Sequence, residues 1–220
     1  MPTKHVDKAL QWIFFCFAAA YMLTLHLRPY PLSYVVKSIP IFCLSIFAWR
    51  RIHGKKGKLL FLGFLLSGFG DIFLEFHSQG FFMIGMGFFT MAHLSYIGVF
   101  LGKPKLNTGR KLALGVIFLY SISFGIFLFP TLGTMMLPIY LYLGVISVMG
   151  ITACTGESNH PLVMAGAFLF ILSDSIIAYT LFVSPVYLSS FWVMTTYYLA
   201  QLLLALGAEK SGTQKSPTNI

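Results

Sequence analysis

The sequence predicts an all-α polytopic membrane protein with eight transmembrane helices and with its N- and C-termini in the cytosol. Three observations support this prediction: the composition is strongly apolar, the apolar stretches have the length of membrane spans, and the basic residues fall on one side of the predicted bundle. The 220 residues are 57% hydrophobic and 10% charged, with a mean hydropathy of +0.82. A soluble domain carries about 25% charged residues.

Each predicted span has the length that a membrane requires. A hydrocarbon core of ~30 Å needs about 20 apolar residues in a helix, and the breaks between spans contain Gly, Pro and polar turn residues. The first residues, MPTKHVDK, are too polar for a cleaved signal, so we interpret the first apolar run as a retained span. The eight predicted spans are 9–27, 32–49, 58–76, 80–101, 111–129, 134–153, 161–183 and 187–208.

The basic residues give the orientation. Thirteen of the fifteen Lys and Arg residues fall in the N-terminus, in the loops that follow the second, fourth and sixth spans, or in the tail. These segments share one side of the membrane, and the positive-inside rule makes that side cytosolic. Only Arg28 falls on the opposite side, and Lys37 lies within the second span. The net charge of +9 is therefore a topology signal, and no nucleic-acid partner is predicted. We expect one transmembrane domain over residues 1–208, followed by a polar, disordered cytosolic tail over 209–220.

Two aspartates inside predicted spans dominate the functional prediction. Asp71 and Asp174 lie in the third and seventh spans, and an acid within a membrane is a functional-site hypothesis by default. Each lies thirteen residues from the predicted cytosolic end of its helix, which corresponds to a depth of ~20 Å. Lys37 lies ~8 Å from the opposite face. In a ~30 Å core these depths coincide, so the two acids and the base are expected to share a cavity.

Other polar residues are expected to line this cavity or to support the aspartates. Glu75 lies one helical turn beyond Asp71, on the same face. The glycines of the third and fourth spans are small enough to bring those helices close together. The remaining candidates, which lie at a similar depth or nearer the cytosol, are Tyr140, His93, Tyr96, Tyr197, Tyr198 and Gln201.

These residues also have structural interpretations. Lys37 could extend its ammonium group to the interface, and an aspartate could form a satisfied buried ion pair with it. His93 could be a hydrogen-bonded packing residue, and tyrosines near span ends are typical of the aromatic belt. If the two carboxyls do meet, one would hold a proton and the other, beside Lys37, would stay ionised. That asymmetry supplies an acid and a base from one residue type.

Four segments resemble the YhhN-like lysoplasmalogenases, in particular the animal transmembrane members. They are GFGDIFLE, AHLSYIGVF, AGAFLFILSDSIIA and MTTYYLAQLLLALGA. VVKSIPIFCL in the second span is similar to the lysine-x-x-proline segment of that family. The resemblance extends over essentially the whole chain, and the GD, SD and TTYYxAQ motifs are specific in their order and spacing.

The resemblance implies an integral membrane hydrolase of the endoplasmic reticulum. Its substrate would be a lysoplasmalogen from the bilayer, cleaved with water at the vinyl ether bond to a fatty aldehyde and glycerophosphoethanolamine or glycerophosphocholine. Asp71 and Asp174 would then be the catalytic acid and base, with their roles left open. We expect no cofactor and no metal, because His26 and His93 are the only histidines in the spans and a catalytic zinc needs three ligands.

Two other functions are consistent with the same intramembrane charges. A transporter would use Asp71, Asp174 and Lys37 as a proton relay, with helices broken at Pro40 and Pro138. A lipid-binding, receptor-like protein would use the polar groups structurally. The oligomeric state is left open.

Overall fold

The computed structural model describes residues 2–76 and 78–213, and this part of the chain contains eight α-helices and no strands. The helices are α1 Pro2–Thr24, α2 Ser33–Arg51, α3 Gly54–Leu74, α4 Gln79–Phe100, α5 Thr108–Leu128, α6 Met136–Thr155, α7 Pro161–Phe182 and α8 Ser189–Thr213. The all-α class is confirmed, and each helix overlaps one predicted span. The bounds differ by at most four residues except at the start of α1, which lies seven residues earlier than predicted, and at the end of α8, which lies five residues later.

Seven of these eight helices are long and apolar enough to cross a membrane, and α2 is the exception. Its 19 residues include Lys37 in the interior and Arg50 and Arg51 in the last turn, which lower its apolar content. The chain is therefore an integral membrane protein of at least seven apolar helices. The crossing of α2 and the cytosolic position of the termini remain predictions.

The predicted tail is only partly described. α8 continues to Thr213, so the first five residues of the predicted tail, 209–213, are helical. The rest of the predicted tail, 214–220, lies outside the described residues, together with Lys215 and the side chain of Lys4.

The chain folds into two compact units, Met1–Val99 and Phe100–Ile220. In the first unit, α1 packs on α2 and α2 packs on α3. α3 and α4 approach closely at two glycines, because a Cβ atom at Gly70 would lie 3.2 Å from the Gly85 carbonyl oxygen and one at Gly85 would lie 3.2 Å from the Gly70 oxygen. Gly87 was expected to serve the same purpose, but nothing lies within 4 Å of a Cβ atom built there.

The second unit contains α5 to α8. α7 and α8 pack tightly, because a Cβ atom at Gly166 of α7 would lie 2.9 Å from the Ala200 carbonyl oxygen of α8. Asn107 caps α5 by accepting a hydrogen bond from the Arg110 backbone N–H at 2.9 Å. α7 begins at Pro161, whose fixed φ suits the first turn of a helix.

Candidate active site

A buried cluster of charges lies where α2 begins and α3 ends. The Lys37 Nζ atom is 3.6 Å from Asp71 Oδ1 and 3.7 Å from Glu75 Oε2, and all three side chains are buried. Asp71 is in the last turn of α3 and Glu75 directly follows the helix, one turn further along the same face, so both face the same lysine. The structure thus brings together Lys37 and Asp71, which the depth estimates placed at one level, and Glu75, which was predicted one turn further along the same face.

Glu75 has two further partners that the sequence analysis missed. Arg28, just beyond α1, donates from Nε to Glu75 Oε1 at 2.7 Å and from Nη2 to Oε2 at 2.9 Å. Tyr21 of α1 donates its hydroxyl to Oε2 at 2.8 Å. α1 and α3 end at the same side of this unit, and Arg28 is the one basic residue predicted on that side outside the spans. Its pairing with Glu75 could therefore have been predicted from the sequence. Charge-assisted and bidentate bonds of this kind fix the carboxylate firmly.

A second group of polar side chains lies one turn further into α3. Ser67, four residues before Asp71, shares a hydrogen bond of 3.1 Å with the hydroxyl of Tyr96 on α4. The rings of His93 and Tyr96 are 6.1 Å apart between centroids, and both residues are fully buried. These residues lie on the inward side of Asp71, and the role of His93 and Tyr96 as the floor of a cavity stays a prediction.

In the second unit, Asp174 of α7 accepts a hydrogen bond on Oδ2 from the hydroxyl of Tyr142 on α6. The depth estimate predicts Tyr140 at this level instead, but the Tyr140 hydroxyl donates to the Gly125 carbonyl oxygen at 2.8 Å. Tyr142 lies six residues into α6, or ~9 Å, and Asp174 lies eight residues from the end of α7, or ~12 Å. Matching these depths would have selected Tyr142 as readily as Tyr140.

The three predicted residues of α8 form a buried polar patch in the same unit. Gln201 Nε2 donates to the Tyr197 hydroxyl at 3.2 Å. The ring of Tyr197 packs edge-on against Phe170 of α7, with centroids 5.5 Å apart, and lies 5.7 Å from the ring of Tyr198. All three side chains are buried, so Tyr197 and Tyr198 are interior residues of this unit, unlike the tyrosines of an aromatic belt.

The two aspartates therefore have different partners. Asp71 lies beside an ammonium group, which compensates the charge of an ionised carboxylate. Asp174 accepts from a neutral phenol. Because each aspartate belongs to a different compact unit, each site is described within its own unit, and their meeting in one cavity remains a prediction. Among the described residues, no group of three or more His, Cys, Asp or Glu side chains could hold a metal ion.

Comparison with known proteins gives consistent matches. A family model described as the YhhN family matches residues 32–208. A Bos taurus protein named lysoplasmalogenase TMEM86A is 33% identical over 193 residues, which cover 81% of this chain and 79% of the relative. A Rattus norvegicus protein named lysoplasmalogenase TMEM86B is 35% identical over 188 residues, 84% and 76% of the two chains.

A more distant match comes from bacteria. A protein of Mycobacterium bovis (strain ATCC BAA-935 / AF2122/97), named lysoplasmalogenase, is 27% identical over 160 residues, which cover 70% of this chain and 61% of the relative. No solved structure matches the chain significantly.

Proposed function

Since this chain belongs to the YhhN family, we propose that it is an integral membrane hydrolase that cleaves the vinyl ether bond of lysoplasmalogens. Its products are a fatty aldehyde and glycerophosphoethanolamine or glycerophosphocholine. The observation that carries this proposal is a carboxylate buried beside an ammonium group, Asp71 with Lys37, in a chain whose relatives are named lysoplasmalogenases.

The reaction requires one acid and one stabilising base. Protonation of the β-carbon of the vinyl ether gives an oxocarbenium ion, and water adds to its α-carbon to form a hemiacetal after losing a proton. The hemiacetal then collapses to the aldehyde and the glycerol hydroxyl. One water molecule is consumed, and the proton delivered to carbon is replaced by the one that water loses.

The different partners of the two aspartates suggest their roles. Asp71, whose negative charge Lys37 compensates, stabilises the oxocarbenium ion and takes the proton from the attacking water. Asp174 delivers the proton to carbon from Oδ1, while Tyr142 holds Oδ2 in place. His93, Tyr197, Tyr198 and Gln201 support the two carboxyl groups or bind the ether oxygen.

The setting of the reaction is part of the proposal. The substrate enters from the bilayer, α2 forms the eighth span, both termini face the cytosol, and the membrane is that of the endoplasmic reticulum. The names of the relatives favour a hydrolase over a transporter or a receptor-like protein. The transporter alternative also required broken helices, whereas α2 runs continuously through Pro40.

Incubation of purified protein with an alkenyl lysophospholipid in D2O tests the proposed reaction. We expect release of an aldehyde that carries one deuterium on the carbon next to the carbonyl, because the transferred proton comes from a group in exchange with solvent. The saturated alkyl ether and the acyl ester of the same headgroup serve as controls and should remain intact. No aldehyde from folded protein, or aldehyde without deuterium at that carbon, would overturn the proposal.

A further inference from the structure

A cavity of about 500 Å³ lies beside Glu75, at the end of the first unit where α2 begins and α3 ends. Its wall comes from the segment between α1 and α2, the start of α2, the end of α3 and the start of α4. The volume lies in the range of small-molecule sites. Four of its lining residues carry the inference: Tyr34, Glu75, Phe76 and Phe81.

Aromatic rings form a continuous part of the wall. The ring of Tyr34 lies 5.5 Å from that of Phe76, and the ring of Phe76 lies 5.1 Å from that of Phe81, measured between centroids. Phe76 and Phe81 are each 41% exposed, so a ligand can reach this part of the wall. A cation within about 6 Å of an aromatic face is attracted by the ring quadrupole, and quaternary ammonium groups are the ligands that such walls bind best.

The charge of the cavity has the complementary sign. Among the described lining residues, Glu75 alone is charged. Both of its carboxylate oxygens already accept hydrogen bonds from Arg28, and Oε2 also accepts one from Tyr21. Glu75 can therefore attract a cation over a distance but has little capacity to accept new N–H bonds. At Glu75 itself a primary ammonium would lose hydration without full replacement, whereas a trimethylammonium has no N–H groups to satisfy.

The distance to Asp71 suits a lysophospholipid. Glu75 lies four residues beyond Asp71 on α3, so the cavity begins ~6 Å further along the helix axis. In an extended glycerophosphocholine the nitrogen is roughly 10 Å from the ether oxygen at ordinary bond lengths. A headgroup nitrogen against the aromatic wall thus leaves the ether oxygen within reach of Asp71.

We infer that this cavity binds the headgroup of the lysophospholipid and prefers a quaternary ammonium, as in choline, to the primary ammonium of ethanolamine. The inference rests on the proposed function for the identity of the ligand. Its physical content, an aromatic wall that selects a quaternary ammonium, can be measured without turnover.

The test is calorimetric titration with sn-1 O-octyl glycerophosphocholine and its ethanolamine counterpart, both saturated ethers used below their critical micelle concentrations. We expect wild type to bind the choline ligand about 5- to 30-fold more tightly, the range that one cation–π contact supports. A Tyr34→Leu/Phe81→Leu variant, which keeps the apolar volume, should lose most of that preference and leave the ethanolamine affinity within about twofold.

Two further variants make the result interpretable. Tyr34→Phe retains the aromatic face and should bind like wild type, while Phe15→Leu removes an exposed ring of α1 that does not line the cavity and should also have no effect. Equal affinities for the two ligands in wild type, or an unchanged preference in a double variant that melts like wild type, would overturn the inference.

Aldehyde release measured on the same preparations separates the two proposals. Deuterated aldehyde without any headgroup preference would overturn the assignment of the cavity and leave the hydrolase standing. A choline preference that depends on the aromatic wall, without any aldehyde, would support the cavity and overturn the hydrolase.

Discussion

Replacement of Lys37 by methionine probes the charge cluster most sharply. Lys37 faces two buried carboxylates at 3.6 and 3.7 Å, and each pair corresponds to about 4–5 kcal/mol of gross attraction at an effective dielectric constant of ~20. Glu75 keeps its bonds from Arg28 and Tyr21 in the variant, but the ammonium beside Asp71 is lost. Breaking a buried pair from one side typically costs about 3–5 kcal/mol, which would lower the melting temperature by roughly 10 °C.

The double variant Lys37→Met/Asp71→Asn separates stability from catalysis. Removing the carboxylate charge that the lysine compensated should recover most of the lost stability, because the remaining carboxylate still has Arg28. The same variant should release no aldehyde, since it lacks the base. Thermal unfolding in detergent and aldehyde release from an alkenyl lysophospholipid are the two measurements.

Arg51→Met is the matched control for the loss of a paired cation. Arg51 pairs with Asp7 at 3.5 Å, but its side chain is 46% exposed, so its loss should cost less than about 1 kcal/mol.

A Lys37→Met/Asp71→Asn variant as unstable as Lys37→Met alone would show that Lys37 and Asp71 are not coupled. A double variant with wild-type turnover would refute the catalytic role of Asp71.

Two other predictions follow from single contacts. Tyr142→Phe removes the hydrogen bond to Asp174 and should lower kcat about 10- to 100-fold. Tyr140→Phe loses only a bond to a backbone carbonyl, so it should lower the melting temperature and leave kcat unchanged. Equal effects of the two variants on kcat would contradict the role of Tyr142. Gly63→Ala drives a methyl group into the ring of Tyr96 on α4 and should lower the free energy of unfolding by about 1–3 kcal/mol. Gly87→Ala, with open space around it, should leave the free energy of unfolding unchanged. An unchanged stability of Gly63→Ala would contradict the close packing of these helices.

The helices were largely predictable because hydrophobic length and turn residues determine where a membrane helix begins and ends. α2 is the informative exception: its apolar stretch was recognised as a span, yet it alone among the eight described helices lacks the apolar content of a membrane helix. One of the charges responsible for that builds the site, since Lys37 must be on α2 to reach the carboxylates of Asp71 and Glu75.

The site was only partly predictable, because depth orders residues along the membrane normal but says nothing about rotation around a helix axis. Depth grouped Lys37 with Asp71, and the four-residue spacing from Asp71 placed Glu75 on the same helix face; the structure has both carboxylates beside Lys37. It could not decide between Tyr140 and Tyr142, which are two residues apart on α6 and therefore point in different directions. The side-chain rotation that selects Tyr142 depends on how α6 packs against α7.

The measurement that tests the central claim most directly is aldehyde release from an alkenyl lysophospholipid by wild type and by the Asp71→Asn and Asp174→Asn variants, with the melting temperature of each recorded. Aldehyde from wild type alone, with both variants folded, is the predicted result. Turnover by either folded variant at a rate close to that of wild type would contradict the claim that these two intramembrane aspartates form the acid and the base of the reaction.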